Sequence, residues 1–290
     1  MKALVVTADD FGLHEAVNEA IEQSFLQGVL CATSLMVAEA AADDAVRRAR
    51  ALPQLAVGLH VVLADGRAVL PPRRIPALVD GAGRFPDRMA REGARFFALP
   101  RVRRQLEAEI RAQFAAFAAT GLTLDHVNAH KHFHLHPTVL GMLLAVGAEY
   151  GSPPMRWPRE PLWVARRRAS GRLAGALLTP WLALMRLRLR AAGVECNETV
   201  FGISTTGAMD EAQLLDILAH LPEGLTEIYL HPATRDGLTP GMGAYRHRDE
   251  LQALLSARVR AAVRASGART GGFRALTDSL RASGEARRVA

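Results

Sequence analysis

The chain has almost no cysteine: Cys31 and Cys196 are the only two in 290 residues. They could form one bridge at most and match no zinc-ribbon spacing, which excludes a disulfide scaffold and fits a reducing compartment. Long apolar runs are also missing, since the stretch from Leu173 to Met185 is short and broken by Pro180, so it cannot cross a bilayer. Aromatic residues make up only 6% and are nowhere interleaved with basic ones, which argues against nucleic acid as a partner despite a net charge of +7. Nearly all of the cations are arginine, as an Arg-rich coding bias would give. No internal repeat is present. The start, Lys2-Ala3-Leu4-Val5-Val6, runs straight into Asp9-Asp10 and reads as a buried first strand rather than a secretory leader. A cytoplasmic location is expected.

What is present is an alternation of short apolar runs and longer helical stretches. Leu4-Val5-Val6 precedes a helix over Glu15 to Gln27, and Leu30 to Val37 precedes one over Ala40 to Ala51. Ala56 to His60 reads as a strand. Arg101 to Ala119 is an amphipathic helix with Leu106, Ile110, Phe114 and Phe117 at three- and four-residue spacing. Thr123 to Val127 and Thr226 to Leu230 are further strands, Glu211 to His220 and Glu250 to Ala265 further helices. Such alternation implies parallel strands with crossover helices, here one α/β domain over residues 1–290. Two stretches break the pattern and are expected to be inserted loops over the C-terminal face, at about 65–100 and 153–192.

The chemistry clusters where strands end. Asp9-Asp10 follows the first strand, His60 the third, His130 the strand through Val127, and His231 the one through Leu230. In (β/α) barrels the site is built at the carboxyl ends of several strands, so the expected fold is a (β/α) barrel with eight strands or fewer. Asn128-Ala-His-Lys-His-Phe-His-Leu-His136 is the densest signal. An extended run would turn His130, His132, His134 and His136 to one side. His130, nearest the strand, is the best ligand; His132, His134 and His136 then contact substrate or support the ligands. One carboxylate and two imidazoles from separate strands make an open site, suited to one divalent ion, zinc first, with cobalt or magnesium as alternatives. For Asp9-Asp10 the plain alternative is a helix N-cap; for His231 it is a histidine packed against Tyr229.

The motifs Ala8-Asp9-Asp10-Phe11-Gly12, Gly58-Leu59-His60, Asp125 to Pro137 and Glu227-Ile-Tyr-Leu-His231-Pro232, in this order, resemble the YdjC-like carbohydrate deacetylases; Arg248-Asp249-Glu250-Leu251 also looks like that family's C-terminal helix start. His126 and Asn128 before His130, with the Arg/Trp-rich stretch, look most like the hopanoid biosynthesis-associated subgroup. The resemblance implies a metal-dependent hydrolase with Asp10, His60 and His130 as ligands, Asp9 as general base and His231 as general acid. Asn128 would lie behind the ligands. The implied substrate is an N-acetylated amino sugar, N-acetylglucosamine on a hopanoid lipid, with a soluble chito-oligosaccharide as the alternative. The chain departs from the family at Asn128-Ala129-His130, where many relatives have Asp-Ser-His, and at Ala233, where relatives often have Gly. A metal-dependent phosphoesterase would want two or three ions, and the motifs offer one triad; a non-catalytic lipid-binding protein is the reading from another class. The Arg-flanked stretch around Leu173 to Met185 is expected either to lie at a membrane surface or to pack as a solvated hairpin. A homo-oligomer is compatible with all of this.

Overall fold

A computed structural model of the chain describes residues 1–161, 164 and 171–289. Strands β1 (Lys2–Phe11), β2 (Ala32–Leu35), β3 (Ala56–Val61), β4 (Leu124–Ala129), β5 (Thr199–Phe201) and β6 (Gly224–Leu230) form a parallel sheet in the order β4-β3-β2-β1-β6-β5. A two-residue β7 (Arg269–Thr270) also pairs with β1. The sheet curls into a half-barrel rather than closing. Between its edges, β4 and β5, runs an extended segment. Val127 N–H donates to Pro154 O and Arg156 N–H to Val127 O on one side, while Met155 N–H donates to Glu195 O and Val200 N–H to Arg159 O on the other. Residues 153–159, expected to open an insert, therefore line the barrel.

Helices α1 (Glu15–Gln27), α2 (Ala42–Ala51), α4 (Pro100–Ala119) and α7 (Glu211–Ala219) stand close to their expected places. The four apolar residues of α4 are all buried, as the 3.6-residue period requires. The expected helix from Glu250 to Ala265 is two, α8 (His247–Leu255) and α9 (Ala257–Ala265), because Ser256 turns extended and its hydroxyl caps α9 at Arg258 and Val259. Irregular backbone holds from Asp65 only to Arg88, after which Met89–Ala98 forms α3. That loop is fixed from α4. Glu109 accepts from the backbone N–H of Val69 and Leu70, and Gln113 pairs with both backbone groups of Val62. Pro137–Ala148 is α5 and Gly171–Ala191 is α6; Arg166, Arg167 and Arg168 lie outside the described residues.

Because side chains alternate along a strand, every second residue enters the half-barrel. Ala3, Val5, Ala32 and Leu225 fill its floor, sealed by Phe273 and Leu276 of α10 (Phe273–Val289). His126 belongs to this level, with its ring 4.7 Å from that of Phe273 and Nδ1 2.9 Å from Asp125, whose carboxylate caps Phe273 and Arg274. A Cβ on Gly58 would come within 2.6 Å of the His126 ring. Gly58→Ala is thus expected to cost about 1–3 kcal/mol, the usual scale of overpacking, read as a lower urea midpoint. A midpoint equal to the native one would show that His126 moves freely. Above the floor the interior turns polar.

Candidate metal centre

Asp10 reaches the barrel mouth through an irregularity in its own strand. The β1–β2 register shifts between Ala8 and Phe11, and Asp10 has φ +66°, a left-handed conformation that Asp tolerates better than most residues. The break lets neighbouring carboxylates diverge, Asp9 into the barrel and Asp10 to its rim. Neither caps a helix: α1 is capped by His14, whose Nδ1 accepts from Ala16 N–H.

Asp10 Oδ1 lies 3.2 Å from His60 Nε2 and 3.0 Å from His130 Nδ1, and those two nitrogens are 3.3 Å apart. All three residues are buried, and their donor atoms fall within 4.8 Å of one another. Asp10 Oδ2 is buried with no hydrogen-bond partner among the described residues. Burial alone would raise the Asp10 carboxyl, but His130 and His60 overcome it and hold it well below the usual carboxylate range. The same pairing raises His60 against the effect of its burial, through Asp9 and Asp10.

Behind the ligands the tautomer of His60 is set. Asn128 donates its amide N–H to Asp9 Oδ1 at 3.1 Å, which leaves its Oδ1 2.6 Å from His60 Nδ1. Nδ1 must then carry the proton, and the Nε2 lone pair faces Asp10 and His130. Two ring nitrogens converge on Asp10, whose buried Oδ2 has no partner among the described residues, and a cation between them would satisfy all three groups. The donor set fits one divalent cation of the kind that takes mixed nitrogen and oxygen ligands.

Asp9 is bound differently. Arg156 Nη1 donates to its Oδ2 at 2.6 Å and Nη2 to its Oδ1 at 2.9 Å, while Ser34 Oγ donates to Oδ1 at 2.8 Å. Arg156 also bridges to Glu227 at 2.9 and 2.7 Å and lies 4.4 Å from the centre of the Tyr229 ring. This guanidinium is fully buried. Burial would raise Asp9, yet Arg156 above all, with His60 and His231, pulls it far below its ordinary range.

The pattern of the family described as YdjC-like protein matches residues 3–265. The chain belongs to this family. A carbohydrate deacetylase of Brevibacillus brevis is 39% identical over 155 residues, 53% of this chain and 59% of that protein; the chain thus spans about three-fifths of that relative's length. A chitooligosaccharide deacetylase of Salmonella paratyphi B is 28% identical over 275 residues, 94% of this chain and 98% of that one. A crystal structure from Enterococcus faecalis, described as a candidate cellobiose-phosphate cleavage protein, superposes with a TM-score of 0.73 at 26% identity, covering 95% and 98% of the two chains.

In this YdjC-like chain the histidine run is wound, not extended. Lys131 and His132 take φ of +51° and +55°, and His130–Leu135 forms a 3₁₀ turn that leaves the His132 and His134 rings edge to face at 5.6 Å. His132 Nε2 meets Tyr229 Oη at 2.9 Å, and burial pushes its imidazole down to about 3. His134 is buried without a hydrogen-bond partner for either ring nitrogen among the described residues. His136 caps α5 through Thr138 N–H. Lys131 pairs with Asp65 at 2.8 Å and with Asp87, tying the turn to the loop after β3. His231 stands edge-on to both Tyr229 and Tyr245, so the expected packing against Tyr229 is real. Its N–H donates to Glu250, His247 donates to its carbonyl, and its Nδ1 has no partner among the described residues. Ser34 and Arg156 carry much of this network and were not expected, and Glu250 was noted only as part of a helix start. Glu227 and Tyr229 fall within the motif that ends at His231-Pro232, at alternate positions before the histidine.

Proposed function

We propose that this chain is a metal-dependent hydrolase that removes the acetyl group from an N-acetylated amino sugar, N-acetylglucosamine joined to a hopanoid lipid. The observation that carries the reading is the Asp10, His60 and His130 cluster with its orphaned Asp10 oxygen, at the carboxyl ends of three strands. The names of relatives support carbohydrate deacetylation. When bound, a divalent ion of the zinc type supplies Lewis acidity, which acidifies water and stabilises charge developing on an acyl oxygen.

The chain's own groups divide the remaining work. Each carboxylate oxygen offers about two acceptor positions; on Asp9, Oδ1 is saturated by Arg156, Ser34 and Asn128, whereas Oδ2 accepts from Arg156 alone. The free position on Oδ2 is where Asp9 orients the attacking water and takes its proton. Arg156 keeps that oxygen from turning. Amines leave poorly without a proton, so an acid is needed across the carbonyl carbon, and His231 fills the role. Burial keeps its imidazole below the ordinary range although Asp10 and Asp9 pull it up. It gives its proton to the departing amine, and the proton that Asp9 takes from water restores it for the next turnover.

The sign of that shift makes a prediction. A lowered pKa means that the protonated fraction declines earlier as pH rises, so the basic limb of kcat/KM is expected below about pH 6.5, the ordinary imidazole value. His231→Ala should lower kcat about a hundredfold, flatten that limb and leave metal content intact. A basic limb near pH 9 would give the acid role to another group.

Acetate release from N-acetylglucosamine glycosides, abolished by chelation and restored by added zinc, tests the reading as a whole. Helix α6 supports contact with a membrane surface, exposing Leu178, Leu184 and Leu187 on a stretch that carries Arg186, Arg188 and Arg190. No helix among the described residues is long and apolar enough to cross a membrane.

A further inference from the structure

Beside the metal centre lies an apolar groove of about 640 Å³. Its walls are Met89, Ala94 and Phe97 of α3, Phe133 and Leu135 of the 3₁₀ turn, and Trp181 of α6. The volume is in the usual range of small-molecule sites, about 300–1,000 Å³. We infer that this groove holds the hydrocarbon part of an amphiphilic substrate whose sugar head lies at Asp10, His60 and His130. The inference rests on the proposed deacetylase reading and assigns the part of the substrate that the reading leaves without a place.

Continuity is the first ground. One six-residue turn serves both places, since His130 is a candidate ligand and its neighbours Lys131 and His132 line the groove. The turn is pinned on both sides. His132 bonds Tyr229 within the barrel, and Trp181 donates its indole N–H to Leu135 O at 2.7 Å. A ligand in the groove is thus held one turn away from the reacting atoms.

Surface chemistry is the second. Eight large apolar side chains are exposed among the described residues, and six of them, Met89, Phe97, Leu99, Leu178, Leu184 and Leu187, lie on or directly after the two helices that frame the groove. Phe97 is 67% exposed. Scattered exposed apolar residues need no explanation, but Met89 and Phe97 line the groove itself beside Phe133, Leu135 and Trp181, and a contiguous apolar surface of this kind marks a binding site. A sugar chain is a poor occupant. Its hydroxyls need hydrogen-bond partners, and among the described residues the polar side chains on these walls are Lys131, His132 and His136.

The test uses N-acetyl-β-glucosaminides with butyl and dodecyl aglycones, below their micelle concentrations. The native protein is expected to favour the dodecyl glycoside by at least about tenfold in kcat/KM, which the burial of two methylenes suffices to give. Ala94→Trp fills the groove from an exposed position, and Phe97→Glu puts a charge on its rim; both should bring the ratio toward one. A dodecyl glycoside brominated at the chain end should also quench Trp181 saturably, and Trp181→Phe or Ala94→Trp should remove the quench. Equal turnover of both glycosides without quenching overturns the inference. So does a chito-oligosaccharide whose turnover is lost in Ala94→Trp while the dodecyl ratio persists, because the groove would then be a sugar subsite. If neither glycoside is hydrolysed yet the quench saturates and vanishes in Ala94→Trp, the groove stands and the deacetylase reading fails.

Discussion

Alanine at Asp10, His60 or His130 is expected to leave a folded chain with no bound divalent ion and at least about a thousandfold less turnover, the several kcal/mol that a catalytic cation supplies. The three donors converge within 4.8 Å, and removing any one leaves two, too few to compete with water for the ion. Metal content measured beside circular dichroism separates this outcome from unfolding. Asn128→Ala is the informative companion, because it frees His60 Nδ1 and so weakens the ion without deleting a ligand. One equivalent of metal retained in the His130→Ala protein would pass that donor's place to another group in the turn.

The second large effect is expected at Arg156. Replacing it by Met should destabilise the chain by about 3–5 kcal/mol, as when one partner of a buried ion pair is removed, because Asp9 and Glu227 would then face each other unpaired in the barrel. Arg156→Lys should recover only part of this. An ammonium offers a point charge where four contacts to two carboxylates need a planar fork. Urea titration reads both variants. An Arg156→Met chain as stable as the native one would mean that this charge network does not hold β1 to β6.

Much of this was readable from residue pattern, and the part that was not has a physical reason. Strand ends announce themselves locally: an apolar run stops and an acid or histidine follows, which puts Asp10, His60, His130 and His231 at one end of the barrel. Arg156 gives no such signal. Its meaning lies in partners 147 and 71 residues away, and the segment that carries it has only an isolated bridge to β4, so no alternation marks it as part of the sheet. The histidine run misled in the opposite way, because a two-residue period suggests extension. Two left-handed residues at Lys131 and His132 wind it instead, and they are fixed by tertiary contacts to Asp65, Asp87 and Tyr229 rather than by local preference.

The kink at Asp10 bears on which residue can stand there. A non-glycine residue at φ +66° is strained by about 1–3 kcal/mol at most, and here it also keeps a buried carboxylate oxygen without a partner. Glycine at this position would relieve both. Asparagine, which also tolerates the left-handed region, would remove the charge. Either change would also leave His60 and His130 without the carboxylate that pairs with them, so the bend sets backbone strain against the only acid able to reach both rings there among the described residues.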